Sequence, residues 1–414
     1  MRRLAVAALA VLVGVGALVG YGLYRKHLSR DHYGRSATRG FQPRALPKPV
    51  LAKGIAWPTF AFDNARLHVG PGNVRPPFRR VWTAGGASLL EFPPAVAFRR
   101  LYLSDANGTL MALSARTGAR AWVVHENRCV AASPAVNTEG RGTVFEAFLD
   151  RRPCRKNAAD GEVVAVATGT GKVRWRKHIG ASETSPLLID QHLYVGDWQG
   201  TVWCIREGSG KTVWTYRTGG PVKAAIASAG DRVYAASYDG HVYALNADTG
   251  KLVWRASEDP RFLGGVGTFY STPALAYGRL FLGSTDGKVY AFDLASGARR
   301  WSHSTGGYVY GSPAIWNREV LVGSYDHVFY AFDAATGDLD WRFHANGPIS
   351  GSATVVDGIV YFATLSGRTY GLDARTGKQL WTFPDGKYTP VVTDGRRLYL
   401  NGYGKVYALA PVKR

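Results

Sequence analysis

Eight tryptophans punctuate the chain at nearly equal steps. Trp82, Trp122, Trp175, Trp214, Trp254, Trp301, Trp341 and Trp381 are separated by 40, 53, 39, 40, 47, 40 and 40 residues. The last seven each end a segment of one design, as in GTLMALSARTGARAW (108–122), GHVYALNADTGKLVW (240–254), GKVYAFDLASGARRW (287–301) and GRTYGLDARTGKQLW (367–381). An eighth copy, GKVYALAPVKR (404–414), stops before its Trp, and Trp82 has no copy ahead of it. A unit of about forty residues cannot bury its apolar face alone, so the copies must stack. Fifty glycines and 22 tyrosines against two methionines fit short strands and turns, not a helical bundle.

Residues 301–341 show the internal design. A strand begins at Ser312-Pro313-Ala314-Ile315 and a second covers 320–323. A turn at Tyr325-Asp326-His327 leads to a third over 328–332, and the turn Ala335-Thr336-Gly337 leads to a fourth ending at Trp341. Four short strands per forty residues predict a propeller blade. First strands near Pro94, Pro134, Pro186, Ala225, Pro273, Pro313, Ala353 and Pro390 give eight of them. The last unit lacks an outer strand, and Arg79 to Trp82 reads as a spare one. The expected fold is therefore all-β: an eight-bladed β-propeller of four-stranded antiparallel blades over 57–414. Its N-terminal outer strand closes the ring and removes the exposed edge. The Gly of each T-G turn is expected at positive φ, and the tryptophans between neighbouring blades.

Ahead of the repeats, Leu4 to Tyr24 is uncharged throughout and bracketed by Arg2-Arg3 and Arg25-Lys26. At ~1.5 Å per residue it reaches about 30 Å, the thickness of a hydrocarbon core. Its length, with no A-x-A site behind it, favours a retained signal-anchor over a cleaved signal. The expected order is a basic N-terminus (1–3), a transmembrane helix (4–24) and a basic linker (25–56) with Pro43, Pro47 and Pro49. No Cys lies near the end of the span to carry a lipid. Gly16-x-x-x-Gly20 offers a stripe through which two spans could form a weak dimer. Orientation is contested, because Arg25, Lys26, Arg30, Arg35 and Arg39 outnumber Arg2 and Arg3, which places the propeller in the cytoplasm.

The cysteines argue for the other side. Cys129 precedes the first strand of its unit, and Cys154 lies in the lengthened loop behind the 53-residue interval. In a four-stranded meander both loops emerge on one face, so a bridge is geometrically open to them, and it would indicate an oxidising compartment. Cys204, inside a third strand, is expected as a small buried residue. The net charge is +21, of which +8 sits in residues 1–50, and no run of five Lys/Arg occurs. A scattered basic surface near a membrane fits this better than a specific nucleic-acid groove.

The loops entering first strands and those joining second to third strands should share one end of the ring. They hold few acids: Glu126, Glu183, Glu258 and Asp259, with Asp239, Asp286 and Asp326 explained as turn-closing residues. Gly208 to Thr212 imitates the end of a phosphate loop but occupies a strand-joining turn. Neither His-x-x-x-His nor Cys-x-x-Cys occurs, so no catalytic, cofactor-binding or metal residue is predicted. What that end collects is aromatic: Trp198, Tyr238, Phe262, Phe269, Tyr270, Tyr308, Tyr310, Tyr325 and Tyr388, with the cations Lys223 and Arg261. A concave aromatic face suits a peptide, a glycan or a partner loop.

Ala291/Asp293/Gly297/Trp301, Ala331/Asp333/Gly337/Trp341 and Asp373/Gly377/Trp381 follow an Ala-x-Asp-x-x-Thr-Gly-x-x-x-Trp pattern, and Trp57-Pro58-Thr59-Phe60 with Asp63 precedes the repeats. In this the chain resembles the pyrroloquinoline-quinone (PQQ) type propeller repeat family over roughly residues 57–410, and looks most like its BamB-like, non-enzymatic branch. The resemblance implies that the eight tryptophans dock blade to blade. It also admits PQQ-dependent alcohol or sugar dehydrogenases, which hold PQQ with Ca²⁺ on Glu, Asn and Asp, use an Asp base and carry a vicinal disulfide. The chain has no Cys-Cys pair. The expectation is a bacterial-type, membrane-anchored, extracytoplasmic and non-catalytic propeller that binds protein or cell-envelope polymer without a cofactor. The alternatives are a PQQ and Ca²⁺ dehydrogenase and a ligand-sensing module.

Overall fold

The computed structural model describes residues 54–412 apart from 87, 138–141, 156, 259–266 and 389–390, together with 16, 19–20, 31, 37–43 and 46. Strands buried on both faces, such as Lys288–Asp293 and Ile359–Thr364, must lie between two other sheets. Eight sheets stacked face to face around an axis provide this. Each blade is an antiparallel meander, as in Ala314–Trp316, Glu319–Gly323, Val328–Asp333 and Leu339–His344 of blade six. Blade eight is assembled from both ends of the chain. Its strands Val392–Thr393, Leu398–Asn401 and Lys405–Pro411 receive Phe78–Gly85 as the outer strand, with Thr83 opposite Tyr407. The spare strand thus closes the ring.

The tryptophans do not end their strands. Trp341 stands opposite Ala331, and pairing runs on until His344 faces Val328. A small residue faces the Trp across the ladder in every blade. It is Ala112, Ala165, Cys204, Ala244, Ala291, Ala331 and Gly371 in blades one to seven, and Ala408 opposite Trp82 in blade eight. Cys204 is buried in that slot. The ring then spans the gap to the next blade. A Cβ on Gly337 would come within 2.7 Å of Trp301, and Gly337 itself has φ +77°, so the turn needs glycine twice over. The indole Nε1 of Trp301 donates to Ala334 O at 3.1 Å. The same donation links Trp122 to Thr168, Trp175 to Glu207, Trp214 to Ala247, Trp254 to Leu294 and Trp341 to Ala374.

The segment that precedes the ring has a larger part than its sequence suggests. Ile55–Trp57 pairs with the first strand of blade one, and Val69–Gly70 lies parallel to that of blade seven. Between them the chain circles the axis. The carbonyls of Gly54, Pro58, Asn64, Ala65, Leu67 and His68 accept the N–H groups of Phe98, Val136, Ser228, Leu275, Ile315 and Val355, one from each of six blades. Arg66, fully buried, donates to Ile226 O, Phe60 O, Pro186 O and Thr59 Oγ1. Parts of the expected linker are also held. Ala37 O and Arg39 O accept from the buried Arg279, and Phe41 packs on Tyr277 at 5.3 Å. The span expected at 4–24 lies almost wholly outside the described residues, and no helix among those described is long and apolar enough to cross a membrane.

Candidate functional site

The loops that lead into the first strands, together with second-to-third turns such as that at Tyr325, surround a cavity of about 260 Å³ at the end of the ring away from the T-G turns. Phe60, from the circling segment, and Phe92 form part of its lining. A belt of hydroxyls ties its wall together. The N–H of Ala225 donates to Thr272 Oγ1 (3.1 Å), that of Thr272 to Ser312 Oγ (3.0 Å), and that of Ser312 to Ser352 Oγ (2.9 Å). Each blade hooks the next, so the wall is fixed before any ligand arrives.

Tyrosines line one side as a continuous arc. Ring centroids step from Tyr238 to Tyr270 (6.0 Å), Tyr310 (5.4 Å) and Tyr325 (5.1 Å), mostly edge to face. Tyr308 caps the arc 5.9 Å from Tyr310 and stays 50% exposed. Tyr325 donates to Ser350 Oγ at 3.1 Å.

Charge gathers at the other side. Glu183 accepts from Lys223 Nζ at 3.0 Å, Trp198 Nε1 at 2.9 Å and Tyr270 OH at 3.4 Å. Lys223 lies 3.8 Å from the centre of the Trp198 ring. Burial raises the Glu183 carboxyl above its ordinary range, against the pull of Lys223. Glu91, also in the lining, is pushed up to about 7, first by burial and then by the charge of Glu183.

The structure therefore brings together Trp198, Lys223, Tyr238, Tyr270, Tyr308, Tyr310 and Tyr325, with Tyr388 on the cavity wall. Phe269 departs from the expectation. It is fully buried, edge-on to Tyr290 and Phe292 in the core between blades four and five, while its loop neighbour Tyr270 lines the cavity. Arg261, Phe262 and Asp259 lie outside the described residues. Glu91 was not singled out from sequence. It precedes a first strand just as Glu183 does, so the rule that selected Glu183 would have found it.

The remaining polar candidates serve the framework. Asp239 and Asp326 accept from the N–H groups of His241 and Val328 and from the phenols of Tyr243 and Tyr330, and Asp286 from Lys288 N–H and Tyr290. Glu258 accepts from Ser284 Oγ, and Glu126 pairs with Arg176. Cys129 and Cys154 are joined by a disulfide with Cα atoms 5.9 Å apart.

This donor set does not fit the PQQ and Ca²⁺ arrangement that the repeat resemblance admits. Of the two carboxylates in the cavity lining, Glu183 is already committed to Lys223 and Trp198 and Glu91 is pushed up to about 7 by burial, while the turn aspartates point into their own hairpins. The disulfide joins residues 25 apart in sequence instead of neighbours. Among the described residues no three His, Cys, Asp or Glu side chains converge on one point.

Comparison with known proteins agrees on the fold. The family model described as outer membrane protein assembly factor BamB matches residues 79–185, 159–308 and 305–412. The chain is 27% identical over 186 residues to the BamB of Burkholderia pseudomallei, covering 43% of this chain and 45% of that protein. It is 26% identical over 177 residues to that of Yersinia pestis, covering 40% and 42%. The match thus spans less than half the length of these curated relatives. Among solved structures, BamB from Moraxella catarrhalis superposes with a TM-score of 0.67 at 18% identity, over 80% of this chain and 99% of that one. The quinohemoprotein alcohol dehydrogenase of Comamonas testosteroni gives 0.72 at 15%, over 88% and 82%. At such identities these two likenesses concern the fold alone.

Proposed function

Because the chain belongs to the family of the outer membrane protein assembly factor BamB, we propose that it is a non-catalytic scaffold, anchored to a membrane through residues 4–24. In this reading it binds a protein or envelope polymer at its aromatic end. The observation that carries the reading is the tyrosine arc beside a preformed cavity. Edge-to-face rings in a fixed wall offer large contact area at little entropic cost. The disulfide supports placing the ring in an oxidising compartment, against the count of basic residues beside the span.

The quinone-dehydrogenase reading shares the fold and lacks a fitting donor set. Titrating the purified protein with PQQ, with and without Ca²⁺, while following dye reduction with alcohols and sugars, separates the two. The scaffold reading expects neither saturable binding nor turnover; both together would make the protein an enzyme.

A further inference from the structure

On the end of the ring away from the tyrosine arc, a pocket of about 540 Å³ lies where blade eight meets blade one. Its lining includes Arg99, Arg116, Arg396 and Arg397, against the single carboxylate of Asp394. Arg397 is a framework residue, donating to Ala115 O at 2.7 Å, much as Arg100 and Arg232 reach the carbonyls of Thr168 and Ala295 in other junctions. Asp394 is spent on the N–H groups of Arg396 and Arg397 and on the phenol of Tyr399. The guanidinium groups of Arg99, Arg116 and Arg396 have no ion-pair partner among the described residues.

The repeat itself supplies the control. In blades five, six and seven the turn before the outer strand begins with Asp293, Asp333 and Asp373. That residue caps the turn and neutralises arginines: Asp293 takes Arg279 and Arg300, and Asp333 takes Arg318. Arg318 precedes Glu319, which stands opposite Asp333; Arg99 precedes Arg100, which stands opposite Ser114. Blade one therefore has Ser114 where blades five, six and seven have the acid, and Ala167, Arg206 and Asn246 stand there in blades two, three and four. Ser114 still caps, accepting from Thr117 N–H at 3.3 Å, but brings no charge to Arg99. The corresponding junction of blades two and three is a pocket of about 250 Å³ lined by Asp190 and Glu207, with no arginine among the described residues of its lining. The described linings of these two junctions thus carry opposite charge.

We propose that this pocket binds a phosphate-bearing anion, with Arg99, Arg116 and Arg396 as its ligands. Guanidinium groups pair with phosphate oxygens through two donors at once, and three of them around a concave site exceed what a lone surface cation offers. Gly54 lines the same pocket, and the chain behind it leads to the apolar stretch 4–24. The headgroup of an anionic phospholipid and a soluble phosphate ester present the same chemistry here.

The test is calorimetric titration of the full chain in neutral detergent with inorganic phosphate and, separately, with short-chain phosphatidylglycerol. Two variants accompany it. Ser114→Asp introduces the acid that blades five, six and seven carry, and Arg116→Gln with Arg396→Gln removes two ligands; melting curves report whether each folds. The expected result is saturable binding of at least one probe, weakened about tenfold or more in both variants. Tighter binding of phosphatidylglycerol assigns a lipid headgroup, and of phosphate a soluble ester. Binding of neither probe, or binding unchanged by both substitutions in folded protein, would overturn the proposal.

Discussion

The indole Nε1 of Trp82 donates to the carbonyl oxygen of Ala115 at 3.1 Å, and its ring lies where a Cβ on Gly118 would come within 2.7 Å. Trp82 belongs to the outer strand of the last blade and Ala115 to a turn of the first. This contact closes the ring in the same way that Trp301 and Ala334 join two interior blades. Trp381 differs, because the ring it meets is Phe78 of the closing strand, edge-on at 5.3 Å.

Trp82→Ala should lower stability by about 2–4 kcal/mol, with loss of both packing and the hydrogen bond. Because the strand that carries Trp82 is the closure, limited proteolysis should also release the N-terminal segment earlier. Denaturant titration and timed digestion check the two effects. An unchanged midpoint would mean that the strand pairing alone closes the ring.

His68 has both ring nitrogens buried without a hydrogen-bond partner among the described residues. Burial, reinforced by the charge of Arg66, pushes its pKa down to about 3 from 6.5. The unfolded chain then binds more protons between those values, so this group removes stability as pH falls from about 6.5 toward 3. Asp63, pushed up to about 6 from 3.8 by burial, acts in the opposite sense over its own window. His68→Phe keeps the edge-to-face packing on Phe60, 5.0 Å away, and should flatten the acid limb relative to the parent. Melting temperatures at pH 4, 5, 6 and 7 for both proteins test this, and parallel curves would contradict it.

Glu91 gives a second pH effect at the cavity. Its carboxyl, pushed up to about 7 from 4.5, holds a proton in the folded chain that the unfolded chain has lost. Stability from this group is complete below pH 4.5 and is lost as pH climbs through 7. Glu91→Gln should therefore be more stable than the parent by ~1–2 kcal/mol at pH 8 and nearly equal at pH 4.5. Denaturant midpoints at the two pH values decide it.

Much of this architecture was legible from the order of residues. The Trp spacing, the T-G turns and the unmatched strand at Trp82 led to eight blades and their closure. The path of residues 54–70 was not, because its contacts are backbone carbonyls meeting N–H groups of six separate blades, which leave no side-chain pattern. Tyr270 and Phe269 show the same limit within the site. Both are aromatic neighbours in one loop, and only the turn of the backbone decides that one faces the cavity and the other the core. That Ser114 stands where blades five, six and seven have Asp was readable, yet its meaning depends on Arg99, Arg116 and Arg396 being gathered by the fold.

Reducing or removing the bridge between Cys129 and Cys154 frees a loop of 25 residues. The chain-entropy estimate for a loop of this length is about 3 kcal/mol. Cys129→Ser with Cys154→Ser should lose that much in denaturant titration while leaving the tyrosine arc intact, since the arc is built by blades four to six.

The central claim, a binding face made by the tyrosine arc, is met most directly by site-specific photocrosslinking in intact cells. A crosslinking side chain at Tyr308, 50% exposed beside the cavity, is compared with one at Leu252, 44% exposed on an outer strand. The account predicts discrete adducts from position 308 that are missing from position 252 and that disappear when Tyr310→Ser and Tyr325→Ser are added. Identical adducts from both positions, or adducts that persist without the two tyrosines, would contradict it.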